Sequence, residues 1–168
     1  MYTAVHSTIG AALATTSDNL GVAFLVGVVS HFLFDLVPHG DTRSFEVLGW
    51  KYKESGSKKD HDRLTAWTIL IDAAISILVV TTVLFRADAH PYLVAAGIVG
   101  GIFPDLLSGA REILQRIGLY EGTLHGWLLE EFWKVHEWTH ACRPDLPYAV
   151  GLLMQSGTLL LFLRLILT

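Results

Sequence analysis

The chain has 168 residues, of which 52% are hydrophobic and 17% charged, with a single cysteine, a mean hydropathy of +0.46 and a formal net charge of −4. That balance is too apolar for an ordinary soluble domain, where about a quarter of the residues are charged, and a membrane is the solvent that suits it. The lone Cys142 excludes an internal disulfide and a cysteine-cluster zinc site, and the negative charge argues against a nucleic-acid partner.

The first sixteen residues read as a short helix, and the turn TSDN at 16 to 19 leads into an apolar run over 20 to 37. They lack the basic region, apolar stretch and small-residue cleavage site of a signal peptide, so insertion is expected to rest on internal segments. Residues 38 to 63 hold Gly40, Gly49, Gly56 and the run KYKESGSKKDHDR, a polar loop without apolar periodicity. LTAWTILIDAAISILVVTTVLF at 64 to 85 is the clearest span, long enough for the roughly 20 residues a bilayer core requires and carrying one charge, Asp72. Residues 91 to 108 mix Gly and Ser with Leu and Val, as do residues 20 to 37, and small residues of this kind suit close packing between helices in lipid. Residues 109 to 142 carry the basic stretch REILQR and then LHGWLLEEFWKVHEWTHACR, a Trp-rich helix of interfacial character. PYAVGLLMQSGTLLLFLRLIL at 147 to 167 supplies a further span, with proline at its first turn. The expectation is an all-α integral membrane bundle forming one domain over residues 1–168. It has about four spanning helices, a short N-terminal helix and an interfacial amphipathic helix.

If the spans alternate, loop 38–63 and segment 109–146 share one side of the membrane. Ten of the 12 Lys and Arg fall there, and only Arg86 and Arg164 lie elsewhere. The positive-inside rule makes that side cytoplasmic, and hence the chain a multi-pass protein of the inner (plasma) membrane. The same face collects the chemistry. SHFLFDLVPHGD brings His31, Asp35, His39 and Asp41 to the end of one apolar helix, GIFPDL brings Asp105 to the end of another, and His6, His125, His136 and His140 belong to the same side. His31 with Asp35, and His136 with His140, stand at i and i+4. Each pair therefore shares a helix face at about 5–6 Å, a separation one metal ion can bridge. His125, about three turns before His136, shares its face.

Imidazole and carboxylate donors suit Zn²⁺, with Mn²⁺ or Fe²⁺ also possible, and the seven ligand candidates His6, His31, Asp35, His39, Asp105, His136 and His140 exceed what one zinc needs. A centre of two or more ions of the kind that clamps a phosphoester fits the surplus. Asp72 is either a partner orienting a ligand histidine or the acceptor for a hydroxyl such as Ser76, while Gln155 reads as structural and His61 as solvated. HEWTH at 136 to 140 also matches H-E-x-x-H, in which Glu137 would be the general base of an intramembrane zinc protease. That reading leaves His6, His31, Asp35 and His39 without a role. A third possibility is a non-enzymatic metal-binding adaptor or a transporter.

On HSTIG near the N-terminus, SHFLFDLVPHGD, GIFPDL and HEWTH, the chain resembles a group of small membrane-bound metal-dependent hydrolases, some known as LexA-binding inner-membrane proteins. It is more distantly similar to the zinc phospholipase C and P1 nuclease superfamily, in which helical H-x-x-x-D pairs hold a cluster of zinc ions. His31 and Asp35 match such a pair and His6 corresponds to an early ligand. His140 stands where that superfamily has a carboxylate, and the free Trp N-terminus that acts as a ligand there is missing, so one or two metals fit better than three. The resemblance implies hydrolysis of a phosphoester, such as a lipid headgroup, at the cytoplasmic boundary, with Glu137 or Asp41 as base. Arg43, Lys51 and Lys53 either draw in an anionic headgroup or are ordinary positive-inside charges.

Overall fold

The structure, a computed structural model, describes residues 1–39, 58–86, 90–142 and 146–168. Asp41, Arg43, Lys51 and Lys53 lie outside the described residues. Within them the chain is all-helical: α1 (Thr3–Ala14), α2 (Leu20–Asp35), α3 (Lys58–Arg86), α4 (Pro91–Arg116), α5 (Leu124–Ala141) and α6 (Tyr148–Leu167). The starts follow local chemistry. Asn19 caps α2 by accepting from Gly21 and Val22 N–H, Thr123 caps α5 by accepting from Gly126 N–H, and Pro91 and Pro147 stand at the entrances to α4 and α6.

Three helices are long and apolar enough to cross a membrane, over Ile69–Arg86, Pro91–Arg116 and Ala149–Leu167. The fourth expected span, α2, has 16 residues. At 1.5 Å per residue it reaches roughly 24 Å, short of the ~30 Å hydrocarbon core. Two boundaries differ from the sequence reading. α3 begins at Lys58, so 58–63 are helical rather than loop. α4 does not end near 108. It continues through Pro104 and Gly109 to Arg116, and the turn comes at Gly118, whose φ of +72° is the left-handed conformation glycine tolerates. Packed helices around a membrane helix accommodate an interior proline that would end a helix in water.

The shortest helix occupies the centre. α1 is buried on all sides from Ala4 through Ala12, with its serine and threonine hydroxyls turned back onto its own carbonyls, Ser7 to Thr3 and Thr8 to Ala4. Ala11 and Ala12 meet Val79 and Val83 of α3, Val94 and Ile98 of α4 and Ile166 of α6. α1 and α2 both lie against α4 backbone to backbone. Gly10 abuts Gly97, Gly27 abuts Gly97 and Gly101, Gly100 abuts the carbonyl of Phe24, and Gly101 abuts that of His6. A side chain at any of these positions would collide with main chain, which cannot swing aside. This contact presses the ligand-bearing ends of α1 and α2 onto α4. Outward, Ile77, Leu78, Phe85, Leu153, Leu160 and Leu165 present apolar surface to the surroundings, as lipid contact requires.

Gly100→Ala is therefore expected to lower thermal stability by about 1–3 kcal/mol, as overpacking does. Gly109→Ala, with open space around the new methyl group, is expected to be neutral or mildly stabilising. Unfolding followed by circular dichroism in detergent compares the two, and equal effects would remove the close-packing account.

Candidate metal centre

Asp35 sits in the last turn of α2, fully buried, with imidazoles from four helical or turn positions around it. Its Oδ2 lies 3.1 Å from His31 Nε2, 3.3 Å from His140 Nε2 and 3.6 Å from His136 Nε2. Its Oδ1 lies 3.1 Å from His6 Nε2 and 3.9 Å from His39 Nε2, and accepts from the Met1 α-amino group at 3.2 Å. Pro38 turns the chain after α2, so that His39, four residues beyond Asp35, folds back into the cluster and is buried.

The hydrogen bonds on the far side of each ring decide which nitrogens carry protons. His31 Nδ1 donates to the Gly101 carbonyl at 2.7 Å, which leaves the Nε2 lone pair bare. The one proton of the Ser108 hydroxyl goes to the Pro104 carbonyl at 3.0 Å, so that oxygen accepts from His136 Nδ1 at 3.2 Å and His136 Nε2 is bare as well. His39 Nδ1 donates to Val37 O at 2.6 Å, and its Nε2 receives the Met1 amine at 2.7 Å. Each ring is thus oriented from behind by a carbonyl or hydroxyl, the arrangement that fixes the tautomer of a metal-ligating histidine.

The result is a cluster of acceptors aimed at one another. The His31 and His136 Nε2 atoms are 3.2 Å apart, and the adjacent Asp35 Oδ2 has no hydrogen-bond donor. His6, stacked on His31 at 3.8 Å, spends its Nε2 proton on Asp35, and its buried Nδ1 has no partner. Buried acceptors in such contact repel unless a cation lies among them. A proton can satisfy one pair. A metal ion satisfies all three donors at once, and ligand atoms bound tetrahedrally at roughly 2.1 Å stand about 3.4 Å apart, against 3.1, 3.2 and 3.6 Å here. Burial pushes the His136 imidazole down to about 4, so it is neutral and able to coordinate near pH 7.

All seven residues expected as ligands are brought together, in three overlapping groups: His31, Asp35 and His136; Asp35, His39 and His140; His6, His31 and Asp105. Asp35 and His31 each belong to two groups. The cluster has the donors and spacing to hold a metal ion. Asp105 differs from the rest, standing 3.7 Å from both bare nitrogens with a side chain 34% exposed at the edge of the cluster. Rather than capping a helix break, it projects from an unbroken α4.

Other candidates fall elsewhere. His125 is exposed and bonds the Leu119 carbonyl at 2.7 Å. It shares the angular face of His136, but eleven residues place it roughly 16 Å along the axis. Glu137 is exposed and belongs to none of the three groups. Asp72 neither orients a ligand ring nor receives Ser76, whose buried hydroxyl has no partner. It accepts from Thr3 N–H at 3.0 Å and Ala4 N–H at 3.3 Å, capping the start of α1 from within α3. Gln155 of α6 completes this anchor by accepting from Tyr2 N–H and donating to the His39 carbonyl, both at 2.8 Å. These two residues hold the ends that carry His6 and His39. Ser108 and the Gly101 carbonyl escaped the sequence reading, although Ser108 is one turn beyond Asp105 on the same face of α4. The Met1 amine escaped it too.

α5 is fastened to α4 by a clamp outside the cluster. Glu130 Oε2 accepts from Arg111 Nε and Nη2 at 3.0 and 2.8 Å and from the Tyr120 hydroxyl at 2.6 Å, and the guanidinium lies 4.9 Å from the Trp133 ring centroid. Tyr120 and Arg111 together hold the Glu130 carboxyl below its usual range.

Comparison of the chain with protein-family models, with curated proteins and with solved structures found no match in any of the three.

Asp72→Asn is expected to cost about 1–3 kcal/mol, because an amide cannot accept from both N–H groups of α1, whereas Ser76→Ala should be close to neutral. Equal losses in thermal unfolding would remove the capping role. In metal-free protein, stability should fall as pH drops from about 6.5 towards about 4. Over that window the unfolded chain takes up a proton that folded His136 refuses. His136→Asn should flatten this part of the curve of unfolding temperature against pH, and an unaltered curve would assign the proton uptake to another group.

Proposed function

We propose that this chain is a membrane-embedded, metal-dependent hydrolase whose substrate is a phosphoester, such as a lipid headgroup, presented at the cytoplasmic boundary. The observation that carries the reading is the pair of bare Nε2 atoms of His31 and His136, facing each other at 3.2 Å beside the donor-less Oδ2 of Asp35. His31, His136 and Asp35 would hold a zinc ion. Asp35, His39 and His140 form a second group of donors, which an ion would occupy in place of the Met1 amine at His39 Nε2, and Mn²⁺ or Fe²⁺ suits the same donor types. When bound there, zinc supplies Lewis acidity towards a phosphoryl oxygen and brings the pKa of water towards about 7.

The remaining groups support hydrolysis over a sealed structural site. Asp105 is at the exposed edge and within 3.7 Å of both bare nitrogens, where its carboxylate can accept a proton from water. His140, 24% exposed, shares that edge. Three inner donors with a partly open side correspond to the catalytic pattern of three protein ligands and an exchangeable position, rather than to the closed four-ligand structural pattern. The apolar spans, and the concentration of Lys and Arg in the sequence over 38–63 and 109–146, support a lipid-borne substrate and a cytoplasmic orientation in an inner (plasma) membrane. The protease reading draws less support, because its base, Glu137, is exposed and apart from the cluster.

Metal analysis of protein purified without chelator is expected to find zinc near stoichiometric amounts, and His31→Ala with Asp35→Ala should abolish it. Glu137→Gln should leave both metal content and phosphodiesterase activity on a chromogenic phosphoester within about twofold. Wild-type protein that holds no transition metal would end this reading, and loss of a peptidase activity on Glu137→Gln would move it to the protease.

A further inference from the structure

α5 has two faces with different neighbours. Towards the bundle it turns Glu130, held by Arg111 and Tyr120, and the cluster residues His136 and His140. Away from the bundle it turns Leu124, Trp127, Leu128, Val135 and Trp138, which are 53 to 73% exposed. At 100° per residue these five fall within an arc of about 100°, a stripe opposite the ligands, with Glu131 the one charged residue among them.

The surface leading into this stripe identifies what covers it. α4 is a candidate membrane span that runs on to Arg116, and Ile113, Ile117 and Leu119 are all exposed along its end. Exposed apolar side chains thus follow the end of α4 up to the start of α5. Two tryptophans lie on that face, and tryptophan concentrates where headgroups meet acyl chains. Glu131, inside this arc, is paired with Lys134 at 2.7 Å, and at the end of α4 Arg116 is paired with Glu112 at 3.4 Å.

We propose that the outer face of α5 is seated in the headgroup–acyl boundary of the bilayer, and that this seating holds His136 and His140 against Asp35, so that lipid contact and metal binding reinforce each other. The proposal rests on the metal reading of the cluster. One rigid helix carries both functions, and its further fastenings to the bundle include the Arg111–Glu130–Tyr120 clamp and the edge contact of Phe132 with Phe32. Freeing the lipid face lets the helix roll or lift, which withdraws two imidazoles. By linkage, filling the cluster steadies α5 in the interface to the same extent. A site of this design is complete only at a membrane surface, where a lipid headgroup would be found.

The test uses the full chain in phosphatidylcholine–phosphatidylglycerol nanodiscs. Lipids brominated near the carbonyl end of the acyl chain are expected to quench tryptophan emission in wild type, and Trp127→Phe with Trp138→Phe should remove most of that quenching while keeping zinc affinity. Trp127→Gln with Trp138→Gln should weaken zinc binding about tenfold or more and lower amide protection along α5. Unchanged zinc affinity in the Gln pair overturns the coupling and leaves the metal reading standing. Wild-type quenching that the Phe pair does not reduce overturns the lipid contact and gives the stripe to a second copy or another protein. Wild type that takes up no zinc at all withdraws the metal reading and the coupling with it, while the quenching still reports where α5 lies.

Discussion

A single carboxylate, Asp35, is the charge around which this molecule is organised. An ionised group without contact to water is costly unless positive charge or hydrogen-bond donors surround it, and here three helices, the turn after α2 and the Met1 amine stand around it. His6 comes from α1, His31 from α2 itself, His39 from the turn after α2, and His136 and His140 from α5, while Asp105 of α4 closes the edge. Because the rings are oriented from behind by Gly101 O, Ser108 and Val37 O, their lone pairs point inward. The fold thus concentrates acceptors where an isolated protein would avoid them, and this imbalance is what makes a cation the natural completion of the site.

Supporting such a cluster requires the helices that bear it to approach closely. The glycines of α1, α2 and α4 provide this, since without side chains two backbones can touch and carry His6 and His31 to within stacking distance. Close approach also buries the N-terminus of α1, whose first N–H groups have no partners within the helix. Asp72 and Gln155 meet that need from α3 and α6. The polar residues inside the apolar helices therefore have two distinct purposes: one set forms the cluster, and the other terminates the helix that the cluster depends on.

α5 joins this interior to the exterior. Its inner face supplies two imidazoles and its outer face is apolar, so a single helix is answerable to both the metal centre and the membrane. The proposed headgroup phosphoester fits such an arrangement, because the reacting group and the surface that would complete the site arrive together.

Composition and residue spacing alone determined the all-helical membrane class, the seven ligand candidates and their convergence on one side. The i, i+4 pairs and the alternation of apolar runs are local properties that survive whatever the helices pack against. Spacing could not set how far a helix continues, because Pro104 and Gly109, which read as helix breaks, lie inside α4. Nor could it separate His125 from His136, since angular position on a helix says nothing about which end of that helix meets the bundle. The purpose of Asp72, the proton positions imposed by Ser108 and Gly101 O, and the arrival of the Met1 amine beside His39 all depend on contacts between residues tens of positions apart. Only tertiary structure decides these, because a hydrogen bond across helices is fixed by their depth and rotation, and neither quantity is encoded in any single segment.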